Sequence, residues 1–120
     1  MNDNVYDHRM SPRLTYGTII QCSQCISGGK IHLYDSPLEI QVLNISNEGL
    51  CISSTEVFEE GAILEFNIQL EDILYRSISA TIIWSIKNAN VYNYGLHIMN
   101  ITGKFGVHIY KIGSRLSTRI

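Results

Sequence analysis

The stretch Leu38-Glu39-Ile40-Gln41-Val42-Leu43-Asn44-Ile45-Ser46-Asn47-Glu48-Gly49-Leu50-Cys51-Ile52 places two apolar runs on either side of a polar interruption. Leu38, Ile40 and Val42 alternate with Glu39 and Gln41, the period of a strand with one buried and one wet face. Leu50 and Ile52 resume the inward positions, so the stretch reads as a hairpin whose loop is the interruption itself. In extended backbone Asn44 and Ser46 leave the same face, and Gly49 permits a turn or a close approach. The corner either only folds the chain or also holds something.

Working outward, Leu14 to Ile26 is rich in Thr, Tyr, Ile and Cys and reads as a long first strand. Ser27-Gly28-Gly29 signals a hairpin, with a return strand from Lys30 to Tyr34 that Asp35-Ser36-Pro37 breaks before Leu38. On the other side, Glu59-Glu60-Gly61 turns the chain into Ala62 to Leu70, where Leu64, Phe66, Ile68 and Leu70 alternate with Glu65, Asn67 and Gln69. Ile78, Ala80, Ile82, Trp84 and Ile86 share one parity, and Tyr92, Tyr94, Leu96 and Ile98 share another after the turn at Lys87 to Asn90. Roughly six antiparallel strands with short connections imply a small all-β barrel or sandwich. Phe105, Ile109, Ile112 and Leu116 then recur at helical spacing, with Thr102 as N-cap and Gly113 as a weak point or early stop. Such a helix would cover an open end or edge of the barrel.

A chain of 120 residues, 45% apolar and 17% charged, fits one globular domain. Its net charge of -2 argues against general nucleic-acid binding, and its seven tyrosines lack the basic stripe of a strand-binding face. The polar, acidic start is no secretory signal, and no apolar run reaches the ~18–20 residues of a membrane helix, so a soluble cytoplasmic protein without membrane insertion is expected. Three cysteines give no disulfide framework. Cys22 and Cys25 form a CxxC, but residues three apart on a strand face opposite ways, which separates the thiols and argues against a metal site.

The first fourteen residues form an exposed, flexible arm with Arg9 and Arg13 on either side of Pro12. Two guanidinium groups can grip one anionic ligand, because the planar fork pairs with phosphate or with the O6/N7 edge of guanine. Asn44 and Ser46 add groups that both donate and accept. Each feature alone is more simply a solvated arm or a self-satisfied turn.

Together, RxxxR at Arg9 and Arg13 followed by NxSxxG at Asn44, Ser46 and Gly49 resembles the signature of the PilZ domain family. Ile82-Ile83-Trp84 and Gly95-Leu96-His97-Ile98 match that family's later segments. The resemblance implies a six-stranded antiparallel, split or Greek-key-like barrel at 15–101, a C-terminal helix at 102–116 and a ligand-binding arm at 1–14. It also implies a non-catalytic bacterial receptor for cyclic di-GMP, needing no cofactor or metal, that relays the nucleotide's arrival to an effector protein. Arg9, Arg13, Asn44, Ser46 and Gly49 are the implied binding residues. His8 stands where the family often has a further Arg, and it is an additional candidate able to stack on a guanine. Asn44 replaces the commoner Asp, and Ile98 replaces the usual aromatic.

The alternative is a degenerate adaptor of the same fold that binds protein alone, through a strand edge or the helix. An enzyme is disfavoured: four histidines and many serines are present, but no nucleophile sits in a strand-to-helix elbow. Oligomeric state is not legible in the sequence.

Overall fold

A computed structural model describes residues 14–46, 49–99 and 103–117, with side chains over 17–46, 49–99 and 103–112. Six antiparallel strands close into a barrel: β1 (Leu14–Ser27), β2 (Lys30–Ile45), β3 (Gly49–Ser54), β4 (Ile63–Leu70), β5 (Ile73–Asn88) and β6 (Val91–Ile98). Around the wall the order is β1-β2-β3-β6-β5-β4, and a helix, α1 (Gly103–Ser117), follows. The all-β barrel with a C-terminal helix expected from the sequence is what forms. α1 runs through Gly113, so that glycine does not stop it; Thr102, read as its cap, lies outside the described residues.

Strict alternation in β4 becomes strict alternation of burial: Leu64, Phe66, Ile68 and Leu70 are all buried. Each such side chain contributes about 1.5–3 kcal/mol of burial free energy. Leu50, Ile52, Leu96 and Ile98 fill the same interior from β3 and β6, and α1 adds Phe105, Ile109 and Ile112. Phe105 packs edge-on against Tyr75, with ring centroids 5.1 Å apart.

Three expectations fail, each at a β-bulge. Asp35-Ser36-Pro37 does not end a strand: Cys22 pairs with Leu38 and Gln24 with Leu33, so residues 34–37 bulge opposite a single residue of β1. Pro37 is tolerated there because a bulged residue need not donate to the ladder. In the β1–β4 ladder Cys22 pairs with Phe66 and Gln24 with Glu65, so Ser23 is an extra residue that reverses the parity of β1. Cys22 and Cys25 therefore both turn inward and are buried, contrary to the opposite-face expectation. In β5, Ile82 pairs with Leu96 and Trp84 with Gly95, so Ile83 is extra. Beyond it Ile86 leaves the core face and is 59% exposed.

Burial pushes the Cys22 thiol from 9.0 up to about 11. The raised value favours the neutral thiol in the folded chain, so its contribution is complete below pH 9 and is lost as pH rises through about 11. Stability should fall over that window by on the order of 2 kcal/mol. Urea unfolding at pH 8 and pH 11 tests this; an equal decline in Cys22→Ala would assign it to other groups.

Tyr94 is wholly buried, and its hydroxyl ties the β3–β4 connection to β6. The hydroxyl donates to the Glu56 carbonyl at 2.6 Å and accepts from the Phe58 N–H at 2.9 Å. Tyr94→Phe leaves a buried N–H and a carbonyl without this partner, a loss of about 1–2 kcal/mol. Chemical denaturation should show that loss as a lower midpoint with an unchanged slope.

Candidate ligand-binding site

β2 ends at Ile45 and β3 begins at Gly49, with Ile45 opposite Leu50 as the last rung. Val42 pairs with Ile52 and Asn44 with Cys51, so Leu43 is a further extra residue. On its other side Asn44 lies opposite Thr15 of β1, which places it in the middle of three hydrogen-bonded strands. The turn is closed by the Ser46 N–H donating to the Gly49 carbonyl at 2.9 Å.

The two polar residues of the corner do not share one environment, as plain alternation would have them do. Asn44 is half-buried, whereas Ser46, just past the strand end, is only 3% exposed. Both already have interaction partners within the protein. A ligand would thus meet an edge of Asn44 directly and the backbone around Ser46 more readily than its hydroxyl.

Gly49 has a steric reason to be glycine. It lies opposite His97 of β6, and a Cβ built on it would stand 1.8 Å from the Leu96 carbonyl oxygen. No side chain fits against that backbone. Gly95 is a parallel case: a Cβ there would stand 2.0 Å from the Trp84 indole nitrogen, so the ring lies over the glycine. This explains why a Trp-bearing segment and a glycine-led strand occur together.

β1 begins beside the corner, because Leu14 lies opposite Ile45 and Thr15 opposite Asn44. Arg9, Arg13 and His8 lie outside the described residues. The structure brings Asn44, Ser46 and Gly49 together at one hairpin end. His97, an exposed imidazole across the ladder from Gly49, was not among the sequence candidates. Nothing in local sequence marks it, since its proximity follows from the β3–β6 pairing.

A second polar group also escaped sequence reading. His108, on α1, is only 11% exposed and bridges two residues of the barrel. Its Nε2 lies 2.8 Å from Glu71 Oε1 and its Nδ1 lies 2.7 Å from the Tyr75 hydroxyl. An ionised carboxylate only accepts, so Nε2 carries hydrogen and, in the neutral ring, Nδ1 accepts from the Tyr75 O–H. Burial, aided by the nearby Glu71 charge, raises the Tyr75 phenol and keeps it the donor.

Among solved structures the chain is similar to the Bacillus subtilis inhibitor of motility (MotI/DgrA), with a TM-score of 0.68 and 16% identity over 95% of this chain. The match spans 54% of that protein. It is also similar to the PilZ domain of YcgR from Escherichia coli, solved with c-di-GMP, with a TM-score of 0.62 and 13% identity over 92% of both chains. At these identities the likeness is one of fold. A search of the curated proteins gives no match. Residues 7–110 match the family model of the PilZ domain, and the chain therefore belongs to the PilZ domain family.

Proposed function

We propose that this protein is a non-catalytic, cytoplasmic bacterial receptor for cyclic di-GMP. The nucleotide is held between Arg9 and Arg13 on the arm and Asn44, Ser46 and Gly49 at the barrel corner, with His8 as a further contact, and its binding is relayed to a partner protein. The observation that carries this reading is the pairing of Leu14 with Ile45: the segment bearing RxxxR is delivered covalently to the hairpin that bears NxSxxG. The similar E. coli domain was solved with this ligand, which supports the choice of nucleotide.

The chemistry matches. Two phosphates suit two guanidinium forks, and guanine edges suit Arg and Asn44. Closure of the Arg9–Arg13 segment over the nucleotide would present a partner with a changed surface to sense. Calorimetry on the purified protein tests the proposal: heat saturating with cyclic di-GMP is expected, and silence up to high micromolar concentrations would sink it.

The second reading, an adaptor that binds protein without nucleotide, draws on the burial of Ser46 and the amide at Asn44. It requires the arm to be equally protease-sensitive with and without the nucleotide. Asn44→Asp separates the two further. A carboxylate accepts both the N1–H and N2–H of guanine where the amide oxygen is one acceptor beside a donor. The receptor should gain about 1 kcal/mol of affinity, the net worth of one hydrogen bond; an adaptor would register no change in calorimetry.

A further inference from the structure

We propose that the outer face of α1 and the β4–β5 turn form a docking groove for an acidic, amphipathic helical segment of a partner protein. That this groove serves as the receptor's relay surface rests on the reading above; that it captures such a segment does not.

α1 has two faces. Phe105, Ile109 and Ile112 pack into the core, while Val107 and Tyr110 point the other way and are 53% and 63% exposed. Lys104 and Lys111 are exposed and seven residues apart, two helical turns, so they line one edge of that apolar stripe. Across from them, Ile73 and Leu74 at the β4–β5 turn are 47% and 43% exposed. A cavity of about 850 Å³ opens between helix and turn, lined by Ile73, Tyr75, Lys104, Val107, Tyr110 and Lys111 among others. Isolated exposed apolar residues need no explanation, but a concave cluster does.

Charge selects the occupant. Glu71 also lines the cavity and accepts from His108 at 2.8 Å, so the lining sets two ammonium groups against one carboxylate. Among the described residues neither Lys104 nor Lys111 has a carboxylate partner. The groove is thus locally positive on a chain whose net charge is -2. Apolar anchors between two ammonium groups fit a helix whose Leu-, Ile- or Phe-type stripe is flanked by Glu or Asp. A lipid surface fits less well, because membrane recognition uses clusters of about four to eight basic residues and a flat face. The Tyr75–His108–Glu71 chain fixes α1 to the turn, so the groove is preformed and little ordering is needed on docking.

Fluorescence anisotropy on the full chain at low salt provides the test. The probe is a labelled synthetic helix of about five turns with Leu on one face and Glu on the other. Its counterpart with Lys for every Glu, a scrambled version and phosphatidylserine vesicles serve as comparisons. The acidic helix should bind alone, and Lys104→Glu combined with Lys111→Glu should weaken it at least about tenfold and admit the Lys helix instead. Both sites are exposed on the helix, and circular dichroism checks that the variant folds. No binding, equal binding by the Lys or scrambled helix, or indifference to the charge reversal would overturn the proposal. So would vesicle binding without peptide binding, or self-association that the double variant abolishes, which would assign the face to a membrane or to a second copy. Titrating cyclic di-GMP into the unsubstituted chain alongside the peptide keeps the two readings apart: peptide capture without nucleotide heat defeats only the receptor, and nucleotide heat without peptide capture defeats only the groove.

Discussion

Replacing Gly49 by alanine should lower the unfolding free energy by about 3 kcal/mol or more, at the upper end of what overpacking costs. The added Cβ would stand 1.8 Å from the Leu96 carbonyl oxygen, 3.0 Å from its carbon and 3.3 Å from the His97 Cα. All three are backbone atoms of β6, and β6 is held by β3 on one side and β5 on the other. Relief requires parting β3 from β6 where Leu50 pairs with Leu96, at the interior edge of the core. Gly95→Ala is the informative comparison. The three atoms nearest its Cβ all belong to the half-buried Trp84 side chain and not to backbone, so it should lose less, about 1–2 kcal/mol. Urea unfolding of both variants measures the difference; equal stability would mean that β3 and β6 do not approach as closely as described. In the sequence Gly49 read as a turn residue or as a point of close approach to a ligand, but the close approach here is to the protein's own backbone. The last glycine of NxSxxG is thereby explained by the barrel before any ligand is considered.

That distinction shows what alternation can and cannot carry. β4 was legible in full, because Leu64, Phe66, Ile68 and Leu70 sit in a strand segment whose inward parity is never interrupted. The strand content, the hairpin at Ile45–Gly49 and the helix from Gly103 were legible for the same reason: each is a local period bounded by local punctuation. Single-residue insertions were not legible. Ser23, Leu43 and Ile83 have no composition that marks them as bulged, yet each reverses which residues face inward thereafter. The two buried thiols and the outward Ile86 follow from those reversals. Contacts between distant segments, such as Gly49 with His97 across the β3–β6 ladder or Glu71 with His108 of α1, are encoded by no local pattern. The corner half of the candidate site was therefore readable, and the depth at which Ser46 sits within it was not.

Arg9→Ala and Arg13→Ala should each weaken cyclic di-GMP binding by about 1.5–3 kcal/mol, roughly 10- to 150-fold, the range for a hydrogen bond to a charged group. The expectation is tied to topology. Leu14 lies opposite Ile45, so Arg13, its immediate neighbour in the chain, is within about 4 Å of a residue already at the corner by Cα spacing alone. Arg9 lies four residues further and can span up to about 14 Å more. Arg13→Lys should recover only part of the loss, since an ammonium keeps the charge but not the paired hydrogen bonds of the fork. Binding should also weaken with added salt, and less steeply in each variant. The control is stability: Arg9 and Arg13 precede the first strand, so both variants should unfold with the parent's midpoint while losing ligand, the reverse of a barrel defect such as Gly49→Ala. If both variants bind like the parent, the arm is not part of the clamp and the corner acts without it. If one alone fails, the nucleotide is gripped at a single phosphate, and His8 becomes the residue to replace next.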